Sequence, residues 1–341
     1  MKLTIQLVTW NAAKYLPLCL DSIFNQTYRD FQVLVIDNNS LDNSVDFIKK
    51  NFPQVTVFTN HQNNYYAKAH NQGFKLLKTE YVLVTNPDII LEPDFLAKLM
   101  AAAESHPQHA VFSGKLLRLI WQDAELGISQ KTNLIDTVGI RASRKRHFEE
   151  RGAGEEDVGQ YDKACEVFAI SGALVLYRRE ALERVKMVLS NGHSEYFDEN
   201  FVINKEDIDI CWRLHRAGWS SLVIPEAVAY HFRTSKKNFS YSWRGLKELI
   251  RERKARKFGN YFSYKNHLLL LLKNETLATF TADWLPILIY ELKKFFYLLF
   301  FETKTLACLP ALIKQLGPTL KKRKMIYTTV SPKELRKKWF K

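Results

Sequence analysis

The chain is poor in the features that mark several large protein classes. Only four of its 341 residues are cysteine (Cys19, Cys165, Cys211 and Cys308), and they lie far apart. No Cys-x-x-Cys pair occurs, so neither a zinc ribbon nor a disulfide framework is indicated. Scattered cysteines of this kind read as reduced, mostly buried small hydrophobes, which fits a reducing cytosol. No run approaches the ~20 apolar residues that a spanning helix needs. The nearest, Trp284–Phe301, is broken by Glu291, Lys293 and Lys294. The N-terminus does not read as a signal peptide, because Lys2 precedes only a short apolar run that Gln6 interrupts. No stretch is low-complexity. No Gly-x-Gly-x-x-Gly follows the first strand, which argues against a dinucleotide-binding dehydrogenase.

What remains is a chain rich in core-forming residues, 46% of them hydrophobic. At roughly 150 residues per domain this suggests one large domain with an appendage. The net charge of +14 is unevenly spread. Residues 1–230 hold 25 Lys and Arg against 29 Asp and Glu, whereas residues 231–341 hold 25 against 7. The basic excess therefore belongs to the last third, which could face nucleic acid or an anionic membrane surface.

Strand-like and helix-like runs alternate from the start. Leu3–Val8, Gln32–Ile36, Val55–Phe58 and Tyr81–Val84 read as strands, with helices between them. This order implies a mostly parallel sheet covered on both faces, whose ligands sit beyond the carboxyl ends of its strands. Thr9, Asp37 and Asp88 all fall at such ends, so three polar punctuations converge on one crevice. Beyond Ala110 short strands are expected around Val111–Leu119 and Val167–Tyr177, with a mobile loop over Arg141–Asp162. A helix opens near Lys205 and ends at Gly218, and a strand pair follows around Leu222–Tyr230. After Thr234 the chain reads as basic and helical, with apolar clusters at His267–Leu272, Trp284–Tyr290 and Phe295–Phe301. They suit an interfacial helix, or simple packing on the preceding domain.

Each punctuation has two readings. Asn86-Pro87-Asp88 offers a carboxylate for a divalent cation shared with substrate phosphates, or a plain turn. Asp37-Asn38-Asn39-Ser40 can read a base or ribose edge, or cap a helix. Asn63 to Gly73 enters a helix whose first turn suits a diphosphate, with ordinary capping as the alternative. Glu206-Asp207 and Asp209 favour a helix N-terminus, and also supply the general base that an attacking hydroxyl needs. His231 closes a strand just before Arg233, Lys236 and Lys237, which could neutralise a departing diphosphate.

In this order the elements resemble glycosyltransferase family 2, with its GT-A fold. The matching stretches are Val8-Thr9-Trp10-Asn11, Asp37–Ser40, Asn63 to Gly73, Asn86–Asp88, Ser171–Arg179, Phe197–Phe201 and Lys205–Trp219. Asn86–Asp88 and Tyr261–Asn274 resemble the bacterial rhamnosyltransferase-like branch, whose members build surface polysaccharides on lipid carriers. The resemblance implies an α/β fold, a Rossmann-type mostly parallel sheet flanked by helices. It covers a catalytic domain at 1–235, with a basic, membrane-associating helical region at 236–341. Thr9, Asn11, Asp37, Asn39, Asn64, Lys68, Asn71, Asn86 and Gly172 would serve the nucleotide or donor. Ala173, with Gly172, would line the acceptor or donor-sugar side, and Asp88 with His231 would hold Mg²⁺ or Mn²⁺. Asp207 would be the base, with Glu206 the alternative. The implied partners are a nucleotide-sugar donor, a lipid-linked saccharide acceptor and an anionic membrane surface, but no nucleic acid. The implied place is the inner face of a bacterial membrane. Two departures stand out: Asn86 replaces the first carboxylate of the usual Asp-x-Asp, and Tyr65 stands where many relatives carry glycine. A hexosyltransferase using a UDP-sugar is the alternative within the family. A non-catalytic basic binding protein is the alternative outside it.

Overall fold

The structure, a computed structural model of the chain, describes residues 1–76, 78–123, 128–232 and 257–341. Arg233, Lys236 and Lys237, and the expected boundary at 235, lie outside the described residues. The first third alternates as its hydrophobic periods require: β1 (Leu3–Thr9), α1 (Leu16–Phe24), β2 (Phe31–Asp37), α2 (Ser44–Asn51), β3 (Thr56–Thr59), α3 (Tyr65–Leu76) and β4 (Tyr81–Thr85). There follow β5 (Ile89–Leu91), α4 (Phe95–Ser105), β6 (His109–Asp123), β7 (Ile128–Thr137), β8 (Ile140–Ala142), β9 (Phe148–Glu150), β10 (Cys165–Val167) and β11 (Leu174–Arg178). Then come α5 (Arg179–Val185), β12 (Met187–Val188), β13 (Ser194–Glu195), α6 (Glu206–Arg216) and β14 (Ser220–Phe232).

One sheet runs in the order β10-β14-β6-β11-β4-β1-β2-β3, with β5 added to β14 and β7 to β6. Strands β4, β1, β2 and β3 are parallel, as the continuous apolar run of β2 demands of a strand covered on both faces. The other half is mixed, since β11 is antiparallel to both β4 and β6 while β14 is parallel to β6. Helix α3 buries Ala67, His70, Asn71 and Phe74, the spacing of one helical face. A Cβ on Gly73 would lie 2.4 Å from the Gln6 side chain, so only glycine lets α3 approach β1 this closely.

Four expectations change. Strand β6 is one long strand rather than a short one, and the expected pair at Leu222–Tyr230 is the single strand β14. The expected strand over Val167–Tyr177 is two strands, β10 and β11, joined by a turn. The stretch Arg141–Asp162, expected as a mobile loop, contains the hairpin of β8 and β9. Its charges look solvated in sequence, yet Arg146 at the hairpin tip is fully buried and pairs with Glu275 and Asp283, more than 120 residues away.

Helices Lys257–Asn274, Leu277–Phe301, Leu309–Arg323 and Pro332–Trp339 complete the chain. Leu269, Leu270, Leu335 and Phe340 share one core with Phe201 and Trp212, so this region folds against the catalytic part. Buried charge fastens it there. Lys273 Nζ lies 2.6 Å from Asp198 and 2.7 Å from Asp209, all three side chains fully buried. Lys322 bridges Glu195 and Asp198. Asp283, where the Leu277–Phe301 helix breaks its helical geometry, is gripped by Arg144, Arg146 and Arg336.

The Leu277–Phe301 helix is inverted relative to an ordinary surface helix. Glu291 turns inward to His267 at 2.6 Å, and Lys294 sits over the Tyr264 ring. Trp284, Leu285, Leu288, Ile289, Leu292, Phe296, Leu299 and Phe300 face outward, each 40–71% exposed. Among the described residues no single helix is long and apolar enough to cross a membrane. This helix and the following Thr303–Arg323 pass that test only as a pair bent by 113°.

Removing one partner from a buried ion pair leaves an uncompensated charge, so Lys273→Met should destabilise the fold by about 3–5 kcal/mol. Urea denaturation followed by circular dichroism checks this; a loss under about 1 kcal/mol would show that the cluster is not a structural tie.

Candidate active site

The sheet register brings the expected strand ends together. Thr9 pairs with Asp37, Asp37 with Thr59, and Leu7 with Thr85, so four parallel strands finish along one edge. Strand β11 starts at that edge, because Leu174 pairs with Thr85 and the Asn86 N–H donates to Ala173 O at 2.9 Å. The carboxyl end of β14 arrives there too: His231 pairs with Ile89, and the Phe232 N–H donates to Asp88 O at 3.0 Å.

A cavity of about 410 Å³ opens at this edge. Asn86, Gly172, Ala173, Glu206, Asp207 and His231, all expected site residues, line it. Five further lining residues have no role in the sequence reading: Tyr66 lies within the Asn63 to Gly73 stretch, Lys205 where a helix opens, and Phe148, Glu149 and Glu150 on the hairpin expected as a loop. A larger hollow of about 660 Å³, lined by Pro107, Gln108, Glu180 and Gly218, lies at the opposite sheet end, where β6 and β14 begin.

Helix α6 enters the cavity through a strained link. Val202, Asn204 and Lys205 have φ of 65°, 67° and 75°, a left-handed backbone costly for non-glycine residues. Asn266 holds it, donating to the carbonyls of Phe201, Ile203 and Asn204 at 2.7–2.8 Å. Asp207 then accepts the Gly172 N–H at 3.1 Å and the Ile208 N–H at 2.8 Å. Tyr66 donates to Gly172 O, and a Cβ on Gly172 would lie 2.6 Å from the tyrosine hydroxyl.

The two carboxylates differ in their surroundings. Burial, and then the adjacent Asp207 charge, push Glu206 up to about 8, and its Oε2 is buried without a partner among the described residues. Burial also raises Asp207, but its two N–H donors favour the anion and oppose the rise. The N–H donors thus favour charge on Asp207, whereas Glu206, raised to about 8, favours its protonated form near neutral pH. Burial holds the Lys205 ammonium below its ordinary range against the pull of these carboxylates.

Asp88 and His231 face each other, with Oδ2 3.4 Å from Nε2. The Asp88 Oδ1 is buried without a partner among the described residues. On the other ring nitrogen, His231 Nδ1 lies 2.8 Å from Asp136 Oδ2. Burial works against a charged imidazole here, but hydrogen bonds to Asp136 and Asp88 outweigh it and lift the pKa to about 9. An orphaned carboxylate oxygen beside an imidazole nitrogen is a fitting donor set for a divalent cation. His193, Glu195 and Glu199 also cluster, but Lys322 already holds Glu195, and Asn71 and His193 hold Glu199.

The other expected contacts are not in this lining and lie after β1, at the end of β2 and around the start of α3. Asn11 accepts the Leu41 N–H, Asp37 takes both the N–H and hydroxyl of Ser40, and Asn64 N–H donates to Asn38. Asn39 has a positive φ of 63° and is exposed, as is Lys68. Two do not reach the crevice. Asn71 is fully used inside the protein, donating to Phe197 O and Glu199 and accepting from the N–H groups of Tyr196 and Phe197. Its helical spacing placed it on the core face of α3. Thr9 is fully buried, its side chain covered where β1 runs between β2 and β4. Tyr65 carries a φ of 55°, a left-handed backbone that favours glycine.

A family model described as glycosyl transferase family 2 matches residues 4–186. The chain belongs to this family. It is a glycosyltransferase with a GT-A-type α/β fold. It is 26% identical over 253 residues to an N-acetylglucosaminyl-diphospho-decaprenol L-rhamnosyltransferase of Mycobacterium tuberculosis, covering 67% of this chain and 75% of that one. A poly-beta-1,6-N-acetyl-D-glucosamine synthase of Staphylococcus epidermidis is 24% identical over 229 residues, covering 66% of this chain and 48% of that one. Among solved structures, GalNAc-T7 with UDP, GalNAc and Mn²⁺ superposes with a TM-score of 0.57 at 14% identity. That match covers 80% of this chain and 48% of GalNAc-T7, and it bears on the fold alone.

The Glu206 shift sets a stability window. A carboxyl raised on folding contributes stability that is present below about pH 4.5 and lost as pH rises through about 8. Glu206→Gln should therefore match the parent in Tm at pH 5 and exceed it at pH 9. Equal Tm values at both would place Glu206 in water.

Proposed function

We propose that the chain transfers a sugar, with inversion, from a nucleoside-diphosphate donor to a hydroxyl of a lipid-linked saccharide in surface-polysaccharide synthesis. The carrying observation is the Asp207 carboxylate, fixed by the Gly172 and Ile208 N–H groups on the wall of the cavity. Asp207 takes the acceptor hydroxyl's proton as that oxygen bonds to the anomeric carbon; the bond from that carbon to the diphosphate breaks, and the diphosphate leaves. Asn11, Asp37, Asn39, Asn64 and Lys68 form the nucleotide side of the rim. Asp88 and His231 hold Mg²⁺ or Mn²⁺, which when bound offsets charge on the diphosphate. Asn86 leaves Asp88 as the only carboxylate of its motif. L-Rhamnose from dTDP-rhamnose is the proposed donor, supported by what the Mycobacterium tuberculosis relative is named for. The outward apolar face of the Leu277–Phe301 helix supports peripheral attachment to the inner face of a bacterial membrane, beside the acceptor's lipid.

Asp207→Asn should lower kcat by at least about 10³-fold with nucleotide binding intact, while Glu206→Gln stays within about fivefold near pH 7. Near-normal turnover in Asp207→Asn would sink the base assignment. Thermal shifts against nucleotide sugars with Mn²⁺ should respond to dTDP-rhamnose; a selective response to a UDP-sugar would move the donor to the hexosyl alternative.

Membrane attachment is tested by Leu288→Glu with Phe296→Glu, both exposed. The pair should lose sedimentation with vesicles containing anionic lipid by about tenfold or more at unchanged Tm. Undiminished sedimentation would remove this face from the interaction.

A further inference from the structure

The carboxylate–imidazole–carboxylate chain at the site has a third member that the proposed reaction does not use. Asp136 sits on β7, 95 residues before His231 in sequence, and both are buried. Two irregularities bring them together. On β7, Thr137 pairs with Leu116 and Ile135 with Leu117, so Asp136 is the extra residue of a bulge. Bulges re-aim a side chain at sites of this kind. On β14, the register jumps from Ile224 opposite Gly114 to Val228 opposite Lys115, which sets His231 opposite Arg118. A Cβ on Gly114 would lie 1.9 Å from Ala227 O, so glycine is needed for this jump.

An ionised carboxylate only accepts hydrogen bonds, so the ring nitrogen facing Asp136 must carry a proton. That nitrogen is Nδ1, 2.8 Å from Asp136 Oδ2. Arg118 Nε lies 4.0 Å from the other oxygen, Oδ1, and adds opposite charge there. With Nδ1 committed, Nε2 is the nitrogen turned toward Asp88, whose Oδ1 has no partner among the described residues. We propose that Asp136 is a positioning residue: it locks the ring of His231 with Nδ1 protonated, so that a divalent cation displaces only the Nε2 proton and meets that nitrogen beside the Asp88 carboxylate. The inference rests on the metal role proposed for Asp88 and His231, and it adds the residue that makes their geometry permanent. Outer carboxylates of this kind typically raise metal affinity about 10–100-fold.

The test is Mn²⁺ binding to the full chain, by calorimetry and by electron paramagnetic resonance, with saturating dTDP and separately with saturating UDP. Asp136→Ala should weaken Mn²⁺ about 10–100-fold. Asp136→Asn, which can still accept the Nδ1 proton, should retain more affinity and covers the case in which the alanine variant folds poorly. The ¹⁵N shifts of His231 with Mg²⁺ should report a single Nδ1–H tautomer in the parent and a mixture in Asp136→Ala. If Asp88→Ala and His231→Ala weaken Mn²⁺ but both Asp136 variants bind within twofold of the parent, the positioning role is wrong. If none of the four variants changes Mn²⁺ binding, the metal assignment itself fails.

Discussion

The active site depends on where the first turn of α6 points, and buried charge between distant parts of the chain sets that direction. Lys273 lies between Asp198 and Asp209, with no water-exposed surface on any of the three. Asp209 is one turn inside α6 and also takes Arg213 at 3.0 Å. Asn274 donates to the same Asp209, and Asn266 holds the strained link that precedes the helix. Desolvating these charges is costly, so their value lies less in net stability than in permitting one arrangement only. A shift of α6 by one residue would carry Asp209 away from Lys273 and Asn274 in the interior. That constraint lets Val202, Asn204 and Lys205 persist in left-handed backbone and keeps Asp207 against Gly172.

Sheet register supplies the other coordinates. The parallel strands β4, β1, β2 and β3 align the rim, and their hydrophobic runs make that part of the fold readable. The facing side of the cavity depends on pairings with no local signal. Strand β11 enters antiparallel, so Gly172 and Ala173 meet Asn86 from the opposite direction. The β14 bulge at Pro225–Ala227 decides which residue faces Arg118, and a slip of one residue would turn His231 to the other face.

The legible and illegible parts of the site follow from this division. Asp37, Asp88, Glu206, Asp207 and His231 were visible because each punctuates a periodic element. Asn71 shared a motif with rim residues, but its place on the buried face of α3 sends its amide to the 196–199 backbone instead. Asp136 was invisible: a lone acid beside apolar residues has no periodicity, and its meaning comes from a bulge and a partner on another strand. The hairpin of β8 and β9 was hidden for a related reason. Arg144 and Arg146 look like surface charge until Asp283 and Glu275 are brought to them.

The same long-range pairing changes the meaning of the chain's charge asymmetry. An excess of 25 basic over 7 acidic residues after position 230 suggests a surface waiting for an anionic partner. Part of it is already spent within the molecule. Lys273 and Lys322 are buried on acids of the catalytic part, and Arg336 pairs with Asp283 beside two hairpin arginines. The slight acidity of residues 1–230 and the basicity of the remainder are thus partly two halves of one internal interface. Net charge is consequently a weaker argument for a membrane surface than the sequence suggests. The stronger one is geometric. A helix that turns Glu291 and Lys294 inward and eight large apolar side chains outward inverts the usual amphipathic order, and exposed apolar faces of that size mark interaction sites.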